Sequence, residues 1–243
     1  MTNEYQLHPA HSAVSGLRTD IRVNQCRAED RCPAFGVHPV AGGRLNRVVV
    51  TSEPFPQWLR PPPGGFTAED LDRLPELPPH SQLIDGSLVV AARQTVFHML
   101  AVSLLEMSLR GLAPAHLRVR RQMTVTLGRD QRPEPDIIAV HADRDGGPEL
   151  TTYQADDVVL AVEVVSVESR TRDRERKPQL YARAGITHFW RVENVDGRPV
   201  VYVYELDPAT KAYALTGIHH ERLHSSVPFD IDIDIDLTEV DRM

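Results

Sequence analysis

Lys177 stands out in a chain that otherwise writes its positive charge as arginine: of 27 basic residues, only Lys177 and Lys211 are lysine. If a bare positive charge sufficed at 177, arginine would serve as well. An ammonium is a compact point charge whose pKa moves on burial, whereas a guanidinium is bulky, planar and permanently protonated, so the two differ most at a reaction centre. Fourteen residues upstream, Glu163 is the one charge inside Val158-Val159-Leu160-Ala161-Val162-Glu163-Val164-Val165-Ser166-Val167. A carboxylate in so apolar a run is costly to bury unpaired and must face a metal, a cation or a wet cleft. A further 27 residues upstream, Asp136 opens the apolar run Ile137-Ile138-Ala139-Val140. Two carboxylates and one lysine are a set that can hold a cation and stabilise negative charge. The bland alternative is an ion pair between Glu163 and Lys177, with Asp136 capping a turn.

These side chains need elements to position them. The run around Glu163 reads as a central strand, and the shorter run after Asp136 as a buried strand beside it. Strand side chains alternate faces, so Val165 lies on the face of Glu163 and supplies no charge to it. A lysine on the following helix fills that gap. Pro178 to Ala184 reads as this helix, with proline in its first turn and Gly185 just past its end. Asp173 stands four residues before Lys177, where it either bonds the lysine or lies on a solvated face with Arg170, Arg172, Arg174 and Arg176. Ser166 reads as a turn residue.

At this point the chain resembles the PD-(D/E)XK nuclease superfamily, and within it the large bacterial Uma-type family of restriction-endonuclease-like proteins. The resemblance rests on Leu83-Ile84-Asp85-Gly86-Ser87-Leu88-Val89-Val90, Pro135-Asp136, Glu163-Val164-Val165-Ser166, Asp173 with Lys177, and Tyr181-Ala182-Arg183-Ala184-Gly185-Ile186 leading to Phe189-Trp190. It spans roughly residues 66 to 240. It implies an α/β fold with a restriction-endonuclease-like mixed β-sheet flanked by helices. It also implies Asp136 and Glu163 as ligands of a divalent metal, and Lys177 as a lysine displaced from the strand onto the next helix. One position departs from the family pattern: Gln82 stands where a glutamate is expected, and a neutral amide binds a hard cation more weakly, though it can orient a water by hydrogen bonding.

The activity implied is hydrolysis of DNA phosphodiester bonds, which needs a positioned water, stabilisation of charge at phosphorus and help for the leaving oxygen. Asp136, Glu163 and the carbonyl of Val164, completed by waters, suit Mg2+, with Mn2+ as a substitute. Lys177 would stabilise the nucleophile or the developing negative charge. The alternative is a nuclease-fold protein without catalysis, acting as a nucleic-acid-binding or regulatory module.

The remaining segments set the frame. Residues 1–65 hold scattered Pro, Gly and His without sustained periodicity and end in Pro61-Pro62-Pro63-Gly64-Gly65, a linker composition, so they read as a poorly structured extension before a domain at 66–243. Val48-Val49-Val50 could add a short strand there. Cys26 and Cys32 in this region read as free thiols. With neither a signal-peptide pattern nor a run of membrane-spanning length, the expectation is a cytoplasmic protein with no membrane partner. From Phe66 the pattern is regular. Thr67 and Asp70 suggest a capping box, and Asp85-Gly86 is a hairpin signal. The periodic run from Val96 to Leu109 is a helix with Gly111 as its stop. His98 within it reads as a packing or surface residue. Met123, Val125 and Leu127 alternate as a strand; Phe189-Trp190, Val200 to Tyr204 and Tyr213 to Leu215 supply more, with turns at Asp196-Gly197 and Asp207-Pro208. Asp230 to Leu237 alternates with period two and reads as a peripheral strand with an acidic outer face.

The formal net charge is -7. Residues 230–243 carry six acids and one arginine, while residues 66–229 carry 23 acids and 19 basic residues. Bulk electrostatics therefore oppose DNA binding, and contact is expected through local clusters, Arg118, Arg120 and Arg121 together with Arg170, Arg172, Arg174 and Arg176. The resemblance also implies a homodimer.

Overall fold

The computed structural model describes residues 59–238 and 240–242. Cys26, Cys32, Val48–Val50 and most of the extension lie outside the described residues. The centre is a six-stranded mixed sheet in the order β10-β9-β8-β7-β5-β3. Its strands are β3 (Leu117–Arg121), β5 (Ile137–His141), β7 (Val158–Val164), β8 (His188–Val195), β9 (Arg198–Asp207) and β10 (Ala212–His219). Within this sheet only β7 and β8 pair in parallel; the other neighbours are antiparallel. A parallel pair requires the chain to leave the sheet and return, and the excursion between β7 and β8 is the stretch that carries Lys177.

Both faces of β7 are buried, which explains its nearly uninterrupted apolar run. Leu160, Val162 and Val164 join one core with Trp190, Val192 and Val201, and α2 (Val96–Leu112) supplies Leu100, Leu105 and Leu109 to it. Ala161 and Phe189 join a second core with Tyr181 of α3 (Lys177–Ala184). The two-stranded ribbon of β11 (Arg222–Ser225) and β12 (Ile231–Asp234) packs Ile231, Ile233, Ile235 and Leu237 into the first core and leaves the alternating aspartates exposed. The period-two reading of that segment is borne out.

Helix α2 starts where Thr95 accepts a hydrogen bond from the His98 amide at 3.2 Å, a side-chain N-cap. It does not stop at Gly111. It runs to Leu112, because the block is Pro114, which forces the preceding Ala113 into extended backbone (ψ 128°). Helix α3 ends as read, with Gly185 left-handed (φ 89°) and the Ile186 amide bonded to the Tyr181 carbonyl.

The Asp85-Gly86 signal gives the hairpin of β1 (Ser81–Ile84) and β2 (Ser87–Val90), with both turn residues at positive φ, as a two-residue turn of this kind requires. Gly65 is not a loose linker residue. At φ 80° it lies against the hairpin turn, where an added Cβ would sit 2.9 Å from the Gly86 carbonyl, and the Phe66 amide donates to that same oxygen. The capping box forms only in reverse. The Thr67 amide and hydroxyl both donate to Asp70, and α1 (Asp70–Arg73) is a single turn. The strand read at Met123–Leu127 contracts to β4 (Thr124–Thr126), because Gln122 at φ 52° breaks the chain out of β3; it pairs with β6 (Thr152–Gln154).

Candidate active site

The alternation of β7 turns Glu163 toward α3, and both of its oxygens are occupied. Lys177 Nζ donates to Oε2 at 2.7 Å and the Tyr181 hydroxyl to Oε1 at 2.5 Å. Asp173 Oδ1 lies 3.3 Å from the same ammonium. Glu163, Asp173 and Lys177 are 2–3% exposed, so Asp173 is a buried partner of the lysine and not part of a solvated face. The turn before α3, Arg172–Arg176, is π-helical, a wider winding found at functional sites.

Burial pushes the Glu163 carboxyl up, to about 8, against the pull of Lys177, and Asp173 and Asp136 add to the rise. For Lys177 burial works downward, but the carboxylates of Glu163, Asp173 and Asp136 outweigh it and hold the ammonium above its ordinary value. Because both Glu163 oxygens accept hydrogen bonds, the pair is an ammonium facing a carboxylate, which burial makes unusually basic. Burial, then Glu163, raises the Tyr181 hydroxyl as well, so it remains a donor.

Asp136 approaches from the lead-in to β5. Its amide is bonded to the Val162 carbonyl, and its Oδ2 accepts the Val164 amide at 2.7 Å. Oδ1 lies 3.1 Å from His98 Nε2. His98 is therefore neither a surface residue nor a mere packing residue of α2: it is buried and holds Asp136 from across the cleft. Gln82, buried on β1, accepts the Glu134 amide at 3.4 Å. Glu134 was missed as a site residue. It lines the same cleft and pairs with His80 at 2.6 Å, and burial raises its carboxyl against the pull of that histidine. The cleft has a volume of about 380 Å3 and gathers Gln82, His98, Glu134, Asp136, Glu163 and Lys177 among its lining residues. Val164, Asp173 and Ser166 also line it, with Ser166 held in a turn by reciprocal hydrogen bonds with Ser169.

The arginine clusters do not form a groove here; of the two, only Arg172 lines the cleft, joined by Arg93. Arg118 bonds the carbonyls of Ala115 and Leu117, Arg120 pairs with Asp145, and Arg121 lies 3.7 Å from Glu106. Arg174 forks onto Glu193 and Arg176 onto Asp85. Acidic neighbours take up the charges of Arg120, Arg121, Arg174 and Arg176.

Among the described residues, no group of three or more His, Cys, Asp or Glu side chains is arranged to cage a metal. Magnesium does not need such a cage: one or two carboxylates, waters and substrate phosphates suffice. Three carboxylates, Glu163, Asp173 and Asp136, around one lysine leave an excess of negative charge that fits a divalent cation, and each Glu163 oxygen keeps a further lone pair.

A family model described as "Uma2: Putative restriction endonuclease" matches residues 68–238. The chain belongs to the Uma2 family. The match runs from before α1 to just past the β11–β12 ribbon, so it takes in every Uma2 cleft residue named above. Among solved structures, a protein from Anabaena variabilis ATCC 29413 titled a putative nuclease belonging to DUF820 is similar in fold, with a TM-score of 0.57, 17% identity, and coverage of 72% of this chain and 98% of that one. No curated protein matches the chain. Among the described residues no helix is long and apolar enough to cross a membrane.

Proposed function

We propose that this protein is a divalent-metal-dependent nuclease that hydrolyses DNA phosphodiester bonds. The observation that carries this reading is the convergence of Asp136, Glu163 and Lys177, far apart in sequence, on one cleft of a Uma2-family fold. Asp136 and Glu163, with the Val164 carbonyl, would hold Mg2+ or Mn2+. Bound there, the cation would supply Lewis-acid charge and a more acidic water. Lys177, fixed by Glu163 and Asp173, directs its positive charge at the position where negative charge builds up on phosphorus and its oxygens. His98 and the Val164 amide keep the Asp136 carboxylate in place, and Tyr181 does the same for Glu163. Gln82 orients a water or a phosphate oxygen.

The test is cleavage of supercoiled, linear and single-stranded DNA with magnesium or manganese, comparing the wild type with Glu163→Gln and Lys177→Met. Metal-dependent nicking that disappears in both folded variants is the expected result. Folded wild-type protein that binds metal yet cuts no DNA would replace this reading with a non-catalytic binding module, the reading that Gln82 favours.

A further inference from the structure

His80 and Glu134 are not accounted for by the set just described. The imidazole Nδ1 lies 2.6 Å from Glu134 Oε1. The two side chains differ sharply in exposure, 44% for His80 and 12% for Glu134. A surface ion pair leaves both partners in water and contributes little. Here a largely buried carboxylate is held on a backbone stiffened by Pro133 and Pro135, and it meets one nitrogen of an accessible ring. Both residues line the cleft that contains Asp136, Glu163 and Lys177.

The backbone at His80 is a second, independent observation. His80 is left-handed, with φ 60°, a conformation uncommon outside glycine and costly unless the surroundings enforce it. The enforcement comes from both sides: the His80 carbonyl accepts the Ala91 amide at 3.3 Å, closing the open end of the β1–β2 hairpin, and the ring is tied to Glu134. Among the described residues, the other ring nitrogen, Nε2, makes no hydrogen bond. One imidazole nitrogen bonded to a carboxylate and the other left without a protein partner, on a ring that lines the cleft, is the arrangement that fixes a histidine for proton transfer.

We propose that His80, oriented by Glu134, donates the proton taken up by the leaving oxygen when a phosphodiester is cut in this cleft. This rests on the nuclease reading and adds the acid that reading lacks, since Lys177 stabilises charge and the carboxylates hold it. Water attacks phosphorus as its own proton passes to solvent. The bond from phosphorus to the leaving sugar oxygen breaks, and that oxygen takes the Nε2 proton to become a hydroxyl. The imidazole then recovers a proton from solvent. Glu134 is a positioning residue, acting only through Nδ1.

The experiment compares random-sequence oligonucleotide pools, single- and double-stranded, that carry at one fixed position either ordinary oxygen or a bridging sulfur in the 3′ or 5′ leaving position. Wild type, His80→Asn and Glu134→Gln are assayed with magnesium and with manganese. Asparagine tolerates the left-handed backbone and can still bond Glu134, so His80→Asn preserves the fold while removing the acid. On all-oxygen DNA, the rate in His80→Asn is expected to fall by about 100-fold or more. A thiolate leaves without protonation, so on one of the sulfur pools the loss should shrink to less than about tenfold. Glu134→Gln should show the same pattern more weakly. Equal losses on oxygen and sulfur pools, or no loss on oxygen, would overturn the assignment. A folded wild type that cuts none of the pools overturns the nuclease reading itself, and is distinguishable because no variant comparison is involved.

Discussion

Lys177 is held by two buried carboxylates, so its removal affects stability as well as chemistry. In Lys177→Met, Glu163 and Asp173 would be left in the interior without their cation, at a cost of about 3–5 kcal/mol. Removing both charges at once, in Glu163→Gln with Lys177→Met, should return part of that stability; urea unfolding of the two single variants and the double variant checks the coupling. Equal losses in Lys177→Met and the double variant would show that Glu163 does not depend on the lysine. Tyr181→Phe is a milder change. It removes one donor from a buried carboxylate and should cost about 1–3 kcal/mol, read by the same unfolding measurement. At this scale the sequence revealed Asp136, Glu163 and Lys177, because a charge in an apolar strand and a lone lysine are local signals. It left Asp173 open between a bond to Lys177 and a solvated face, and it did not reveal the roles of His98 and Glu134, whose importance lies in which distant side chain each one meets.

At the scale of elements, the hairpin that carries Gln82 is pinned at its turn by Arg176, immediately before Lys177, and by Gln131. It is also packed against Gly65. Gly65→Ala places a Cβ 2.9 Å from the Gly86 carbonyl at a positive φ, and should cost about 1–3 kcal/mol and shift the hairpin; thermal unfolding and the amide shifts of β1 would register it. At the β3 edge of the sheet, Asp145 ties β3 to β6. The Tyr153 hydroxyl donates to it at 2.7 Å and, with the Arg120 guanidinium, holds its carboxyl below the usual value. A depressed carboxylate stabilises the fold above its unfolded pKa and loses that contribution as pH falls through its folded pKa. The stability gap between wild type and Asp145→Asn should therefore be full at neutral pH and shrink below about pH 4, as measured by thermal unfolding across that range. Elements with a strong period or a fixed turn type, such as β7, α2, α3 and the Asp85-Gly86 hairpin, were readable in the chain. β3 was hidden by its arginines, because Arg118, Arg120 and Arg121 suggest a surface cluster even though Leu117 before them and Val119 among them are buried. Gly111 misled because an open helix position accepts glycine, and the stop lay in Pro114.

For the whole molecule the formal charge is -7, and among the described residues Arg93 and Arg172 are the arginines that line the cleft. Binding of duplex DNA to the Glu163→Gln variant should therefore be weak, with a slope of log affinity against log salt of about -2, measured by fluorescence anisotropy. A slope several units steeper would mean that a basic surface outside the cleft takes part. The distribution of roles along the chain has one more consequence. Every side chain lining the cleft lies between His80 and Lys177, while β9 to β12 contribute sheet hydrogen bonds and the isoleucine face of the first core. The exposed turn at Asp196-Gly197 separates these two shares. A chain severed there divides into one piece that owns the reactive groups and another that owns much of the scaffold, so cutting would depend on their reunion and could be switched by whatever brings the two pieces together.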